Sequence, residues 1–225
     1  MLTLGLDTSS MRSAVGLVKD GKELASFEIS ESVNSSEELV AMVSEIFKKL
    51  KYNIEDIDLI GVGIGPGSFT GSRIAVTVAR VFAQTLDKEI KGVSSLKSLS
   101  LNYRGDRILL PILDARRNRG YYGIYKNNNG LETIKEDSVD QLEEIREQVK
   151  GKEILLLGRD CEKFKEFFAE SCDVSLQPNH EIKGSNIARL AEIEYEKNGP
   201  DELLNVLPNY ITKSQAEREL EKKND

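Results

Sequence analysis

Along the first thirty residues, apolar side chains recur at every second position. This period predicts three strands, over residues 2–6, 14–18 and 25–29. Asp20 and Gly21 separate the last two strands, and both residue types tolerate the positive φ that a two-residue hairpin turn requires. The chain is therefore predicted to begin with three consecutive strands.

From residue 35 the apolar spacing lengthens to three and four residues, which is typical of an amphipathic helix. The pattern predicts this helix over 35–51, a buried parallel strand over the apolar run LIGVGIG at 59–65, and a second helix over 70–86. A short strand at 90–93 and a short helix at 95–101 follow. The second helix is predicted to bury Ile74, Val78, Val81 and Phe82.

After the polar segment 102–107, the second half repeats this order of elements. The pattern predicts strands at 108–113, 121–125, 131–134 and 154–157, and helices at 142–149, 161–168, 185–197 and 212–222. Two halves with one order of elements indicate an α/β fold with a duplicated β-β-β-α-β-α architecture. We expect an N-terminal domain over 1–104, a C-terminal domain over 105–204, and a final segment, 205–225, that returns to the first domain.

The net charge and the apolar content of the chain argue against two classes of protein, nucleic-acid-binding proteins and membrane proteins. The 225 residues carry a formal net charge of -7, and phosphate contacts supply most non-specific affinity for nucleic acids. The chain is therefore a poor reader of nucleic acid by itself. It contains no apolar run near the roughly 20 residues of a spanning helix and no recognisable signal peptide, so we expect a cytoplasmic protein without a membrane partner.

Histidine and cysteine are too scarce for several kinds of site. A Ser-His-Asp triad would have to use His180, which lies in a polar, loop-like stretch, and a His-rich zinc site is excluded. Cys161 and Cys172 are interpreted as free thiols, because two cysteines make no disulfide framework. We predict no catalytic group and no metal site.

The motif GPGSFTG lies between the predicted buried strand and the second helix. Its glycines allow close backbone approach, and a serine or threonine in it can cap the helix, whose free amides bind anions. Either a binding turn or a tight packing turn is compatible with this pattern. A P-loop is not, because the basic residue is Arg73, inside the helix, and the motif is not a nucleophile elbow. The motif comprises Gly65, Pro66, Gly67, Ser68, Phe69, Thr70 and Gly71.

An aspartate stands at the end of the first strand in each half. Asp7, followed by Thr8 and Ser9, is able to hold a hydrated metal or a phosphate, or to form a simple hydrogen-bonded turn. Asp114 occupies the equivalent place in the second half, and the two carboxylates can pair only if the halves face each other.

Three arginines after Asp114 form the densest basic cluster in the chain: Arg116, Arg117 and Arg119. They are interpreted either as an anion or RNA contact or as a solvated hairpin loop. A second surface is predicted on the first helix, where Val40, Met42 and Phe47 widen the apolar arc beyond what one sheet covers. The excess is either core or an association surface.

Four segments together resemble the bacterial TsaB family, also called YeaZ. They are LGLDTSS at 4–10, GVGIGPGSFTGSRIAVTVARVFAQ at 61–84, LPILDARRNRGYYGIY at 110–125 and LPNYITK at 207–213. The resemblance implies a two-lobed actin, heat-shock chaperone and sugar-kinase-like (ribonuclease H-like) fold. It also implies a non-catalytic scaffold and activator of the TsaD transferase, which forms threonylcarbamoyladenosine next to the anticodon of tRNA.

The same resemblance implies partners and a surface. The partners are a TsaD-type paralogue and a TsaE-type ATPase, with a homodimer when the chain is alone and tRNA bound mainly through the complex. No intrinsic cofactor is implied, and ATP or ADP would lie at the complex interface. The first two helices would form the partner and dimer surface, with residues Leu39, Val40, Val43, Ile46, Phe47, Leu50, Ile74, Val78 and Val81.

Departures from the superfamily's catalytic motifs favour the non-catalytic role. Superfamily ATPases place a glycine in the first phosphate loop, whereas residues 7–10 here contain none, and bulky side chains fill the equivalent loop at 114–117. TsaD-type proteins need paired histidines on one helix, and here Asn34 precedes a helix without histidine. The alternative is an ATP-dependent phosphotransferase or hydrolase that uses Asp7 and Asp114; a protease has no supporting nucleophile.

Overall fold

Two five-stranded mixed sheets with the same strand order form the framework. The computed structural model describes residues 1–10, 12–30, 36–176 and 181–211. The first sheet has the order β3-β2-β1-β4-β5 and the second the order β10-β9-β6-β7-β8. In each sheet the first three strands along the chain are antiparallel neighbours, and the fourth and fifth strands extend the sheet in parallel. The predicted duplication is confirmed.

The first sheet and its helices are built from residues 2–99. The strands are β1 (Leu2–Ser10), β2 (Arg12–Lys19), β3 (Lys22–Ser30), β4 (Leu59–Gly63) and β5 (Glu89–Val93). The helices are α1 (Ser36–Leu50), α2 (Phe69–Leu86) and α3 (Ser95–Leu99). The predicted hairpin turn is confirmed, since Asp20 and Gly21 both have positive φ.

The second sheet is built from residues 105–176. Its strands are β6 (Gly105–Asp114), β7 (Arg119–Asn127), β8 (Leu131–Gln141), β9 (Glu153–Leu157) and β10 (Asp173–Leu176). The helices of this half are α4 (Leu142–Val149), α5 (Cys161–Ala169) and α6 (Gly184–Asn198). Strand β8 is longer than the sequence pattern predicts, and β10 was not predicted. Short 3₁₀ turns occupy Ile54–Asp56, Ser100–Asn102 and Leu203–Asn205.

Three apolar clusters show which helices cover each face of the two sheets. Helices α1 and α2 pack on one face of the first sheet, and α4 and α5 pack on the outer face of the second. A third cluster lies between the sheets and includes residues of α3 and α6. Strand β1 is buried along its whole length because both faces of its sheet are covered.

Helix α6 packs on the first sheet, although its sequence lies within the residues expected to form the second domain. Glycines make this approach close: a Cβ on Gly5 would lie 2.5 Å from the Ala188 backbone nitrogen, and one on Gly16 would lie 2.0 Å from that of Ser185. The chain therefore returns to the first sheet at residue 184 rather than at 205. The final described segment also returns there, since Val206 is part of the α1–α2 core.

The inward face of α2 agrees in part with the predicted one. Val78 is buried and Phe82 packs against the core, as predicted, whereas Val81 is 57% exposed. The other buried positions include Ala75, Ala79 and Ala83, whose small side chains allow the helix to lie close to the sheet. The predicted helix at 212–222, Asn34 and His180 lie outside the described residues.

A carboxylate links the two halves. The Ser94 hydroxyl, just before α3, donates to Asp137 Oδ2 on β8 at 2.5 Å, and the Tyr125 hydroxyl donates to the other carboxylate oxygen. Burial raises the pKa of Asp137 to about 6. None of the helices in the described ranges is long and apolar enough to span a membrane.

Candidate functional site

The Asp7 carboxylate is fully buried near the end of β1. The amide and hydroxyl of Ser9 both donate to Oδ1 at 2.8 Å, and the Ser95 hydroxyl donates to Oδ2 at 2.5 Å. Burial raises the pKa of Asp7 above its usual value, and these hydrogen bonds act in the opposite direction. Strand β1 continues through Ser10, and the bond from the Ser9 amide to Asp7 is a local side-chain hydrogen bond of the kind that the turn interpretation expected.

The neighbouring strand, β4, provides the space for the Asp7 carboxylate because it ends in a glycine. Gly63 ends β4, and a Cβ there would lie 1.8 Å from Asp7 Oδ2. Ser95 then joins Asp7 to the start of the GPGSFTG motif, because its Oγ accepts from the Gly65 amide at 3.0 Å and its amide donates to the Gly65 carbonyl at 2.9 Å. Asp7 therefore holds three strand ends together: β1, β4 and the exit of β5.

The GPGSFTG motif lies directly on the backbone of β1. A Cβ on Gly67 would lie 2.3 Å from the Ser9 carbonyl oxygen, and one on Gly71 would lie 1.9 Å from that of Thr8. The Ser68 amide donates to the Ser9 carbonyl at 2.6 Å. The glycines of this motif serve close packing against the first strand, which was one of the two interpretations of the sequence. Gly65–Pro66 is a cis peptide bond.

Backbone groups near the start of helix α2 form hydrogen bonds with side chains of the protein itself. The Ser68 side chain accepts from the Gly71 amide at 3.2 Å and is the N-cap, as predicted for either Ser68 or Thr70. The Thr8 hydroxyl donates to the Gly71 carbonyl at 2.6 Å and accepts from the Ala75 amide at 3.1 Å. The amides of Ser68 and Gly71, which lie at the start of the helix where an anion would bind, are thus already bonded within the protein.

The second aspartate has different partners. The Asp114 side chain accepts from Lys163 and from the Arg116 amide, and the hydrogen bond from Lys163 lowers the pKa of Asp114. The Asp114 amide donates to Asp160. Asp7 and Asp114 are therefore each bonded within their own half, and the carboxylate pair required by the phosphotransferase alternative is not formed by these contacts. No group of three or more His, Cys, Asp or Glu side chains within the described ranges is placed to hold a metal ion.

The residues predicted for the partner surface divide into buried and exposed sets. Val40 and Val81 are 45% and 57% exposed, and Leu50 and Ile74 are partly exposed. The rest, which are Leu39, Val43, Ile46, Phe47 and Val78, are buried in the core between the helices and the first sheet. Met42 is also buried there, so of the three residues expected to widen the apolar arc only Val40 lies at the surface.

An aromatic cluster at the start of α2 extends this exposed face. The Arg73 guanidinium lies 3.9 Å from the centroid of the Phe69 ring, and its Nε donates to the Tyr210 hydroxyl at 2.6 Å. The Phe69 and Tyr210 rings lie 4.7 Å apart and both are partly exposed. The Asn209 amide donates to the Ile64 carbonyl, which holds the C-terminal segment beside the motif.

Comparisons with known proteins place the chain in a family. A family model described as "TsaD: tRNA N6-adenosine threonylcarbamoyltransferase" matches residues 29–220. The tRNA threonylcarbamoyladenosine biosynthesis protein TsaB of Bacillus subtilis is 31% identical over 227 aligned positions, which cover 96% of each chain. The chain belongs to the TsaB family.

Solved structures confirm the fold. YeaZ from Pseudomonas aeruginosa superposes with a TM-score of 0.79 at 24% identity, over 93% of this chain and 99% of that one. The activator of a 2-hydroxyisocaproyl-CoA dehydratase from Clostridium difficile, solved with bound ADPNP, has a TM-score of 0.52 at 13% identity and covers 88% of this chain and 96% of that one. This TsaB-family chain thus has the predicted two-lobed, actin-like ATPase fold.

Two residues of the site were missed by sequence reasoning in this TsaB-family chain. Ser95 is an unremarkable serine at a helix start, and its bond to Asp7 spans 88 positions. Tyr210 lies in the segment LPNYITK, whose resemblance to the family was noted without a role, and its bond to Arg73 spans 137 positions. Local patterns carry no signal for contacts of this sequence separation.

The hydroxyl of Thr8 provides a test of this packing. Replacing Thr8 by Val keeps the side-chain volume and leaves the Gly71 carbonyl and the Ala75 amide without this buried partner. We expect a loss of about 2 kcal/mol in the free energy of unfolding by urea titration. Thr8→Ser, the matched control, keeps the hydroxyl and should lose less. Equal stabilities of the two variants would contradict the role given to this hydroxyl.

Proposed function

We propose that this chain is the non-catalytic partner of a TsaD-type transferase in the formation of threonylcarbamoyladenosine next to the anticodon of tRNA. The observation that carries the proposal is the state of the Asp7 carboxylate. A nucleotide-dependent centre of this fold would need a carboxylate there that is open to a hydrated metal. Here the carboxylate is buried, and both oxygens accept hydrogen bonds from serines.

Bound nucleotide fits the first lobe poorly. The Ser9 carbonyl and the Thr8 hydroxyl already bond to residues of the GPGSFTG motif. The motif lies so close to β1 that even a Cβ would not fit between them, so phosphates would have to displace these backbone contacts. An ATP-dependent phosphotransferase or hydrolase is therefore not favoured. We place any ATP or ADP at the interface of the assembled complex rather than in the isolated chain.

The exposed face of α2, together with Val40 on the neighbouring helix α1, has the composition of a protein-binding surface. Helix α2 has 18 residues, of which only Arg73 and Arg80 are charged, whereas 31% of the whole chain is charged. Val40 on α1 and Val81 on α2 are largely exposed apolar side chains on the two neighbouring helices. Depletion of charge with exposed apolar, aromatic and arginine side chains is typical of interface cores.

The partner we propose for this face is the same helix pair on a TsaD-type paralogue. The match to a transferase family model over residues 29–220 supports a shared architecture, and hence equivalent helices on both chains. Self-association through the same face, when the transferase is absent, follows from the same surface chemistry. A TsaE-type ATPase completes the proposed assembly, in which tRNA is bound mainly through the complex.

Reconstitution of the modification tests the function. Purified TsaD-type and TsaE-type proteins, the enzyme that supplies the activated threonylcarbamoyl group, tRNA, threonine, bicarbonate and ATP are combined with and without this chain. We expect modified adenosine, measured by mass spectrometry of digested tRNA, only when the chain is present. Equal modification in its absence would overturn the proposal. So would modification that persists when the chain is present and the transferase is omitted.

The partner surface is tested with exposed residues, since aspartate at the buried Val43 or Ile46 would unfold the core. We expect Val40→Asp with Val81→Asp to abolish co-purification with the transferase, because two charges would be desolvated in the interface. Ile134→Asp is the matched control, since Ile134 is 55% exposed on β8 of the second sheet. Retained co-purification by the double variant, with its thermal unfolding unchanged, would show that this face does not bind the transferase.

A further inference from the structure

The turn between β6 and β7 has an unusual backbone for its sequence. Arg116, Arg117 and Asn118 have φ values of 62°, 55° and 58°, so three consecutive residues that are not glycine are left-handed. This conformation is unfavourable for a residue with a Cβ, and glycine would relieve most of its cost. We call residues Ala115–Arg119 the arginine turn.

The structure around the arginine turn makes this backbone well defined. The Ala115 amide donates to the Arg119 carbonyl at 2.9 Å, and the Arg119 amide donates to the Arg116 carbonyl at 3.3 Å. The Asp114 side chain accepts from the Arg116 amide at 2.8 Å. The turn is therefore a short, internally bonded platform and not a loose loop.

The side chains of the turn are charged and available. Arg116 and Arg117 are exposed and Arg119 is partly exposed. Across the described part of the chain, none of these three arginines forms an ion pair. The carboxylates beside the turn have other partners: Asp114 pairs with Lys163, Asp160 pairs with Arg159, and Glu143 accepts from the Asn118 side chain.

Unpaired arginine charges on a rigid turn suit a ligand with several negative charges. Guanidinium groups bind phosphate oxygens in bidentate fashion, and a phosphodiester chain offers repeated charges to a cluster of arginines. A protein partner would have to provide a matching carboxylate for each desolvated arginine, which is a more demanding requirement. The turn also belongs to the second sheet, so docking on α1 and α2 of the first sheet uses different elements.

We propose that the arginine turn contacts phosphates of tRNA in the assembled complex. This inference rests on the proposed function, which supplies the RNA, and it names the residues through which an acidic chain takes part in RNA binding. Arg116, Arg117 and Arg119 supply charge to the phosphate backbone and read no base. Their contribution therefore depends on salt and not on sequence.

The test uses the complex of this chain with its transferase partner and measures tRNA affinity by filter binding at several salt concentrations. The variant carries Arg116→Gln, Arg117→Gln and Arg119→Gln. We expect affinity about tenfold lower near 100 mM salt, and a slope of log affinity against log salt smaller by about 2, as the loss of two to three phosphate contacts requires.

Two controls separate local from general charge effects. Lys22→Gln, Lys152→Gln and Lys197→Gln make the same change of net charge at exposed lysines elsewhere, and this variant should bind tRNA as the unaltered complex does. Replacing the three arginines by lysine keeps the charge and should restore most of the affinity and the salt slope.

Three results would overturn the inference. The first is unchanged affinity and salt slope in the glutamine variant, and the second is an equal loss in the lysine-to-glutamine control. The third is weaker assembly with the transferase combined with normal tRNA binding by the complex that still forms, since the turn would then contact protein. Failure of the proposed function is a different result, namely tRNA modification that does not require this chain.

Discussion

The backbone of the GPGSFTG motif lies against the end of β1 with no space for a side chain between them. Cβ atoms on Gly63, Gly67 and Gly71 would all lie within 2.3 Å of atoms of residues 7–9. This contact aligns α2 with the first sheet. It also encloses the Asp7 carboxylate, and it directs outward the face of α2 that carries Arg73 and Val81. The proposed partner surface therefore depends on a contact made by glycines on the opposite side of the helix.

The same contact also determines what the polar groups at the end of β1 bond to. At the end of β1 and in the turn after β4, hydroxyls, amides and carbonyls of the chain bond to each other. The cost of burying Asp7 is offset by three hydrogen bonds from Ser9 and Ser95. We propose that these groups serve internal structure rather than a nucleotide. The outward chemistry of the chain lies on helices and on the arginine turn.

Much of the fold could be predicted because it is encoded locally. Alternating apolar residues located β1 to β3, an apolar run located β4, and apolar spacing of three and four residues located α1 and α2. The repeated order of elements indicated the duplication. The errors arise where contacts join distant positions or where small residues carry the packing. Alanines face the sheet from α2 beside Val76 and Val78, and α6 crosses to the first sheet because Gly5 and Gly16 leave room for it. The closure of the site by Ser95 and Tyr210 has no local signal at all.

We propose that the Asp7 region serves structure and takes no part in nucleotide chemistry. Titration calorimetry of the isolated chain with Mg-ATP, followed by an assay for released phosphate, is the sharpest test. We expect no heat of specific binding and no turnover, for the unaltered chain and for Asp7→Asn alike. Micromolar binding with turnover that Asp7→Asn abolishes, while that variant remains folded, would overturn this proposal and favour an ATP-dependent enzyme.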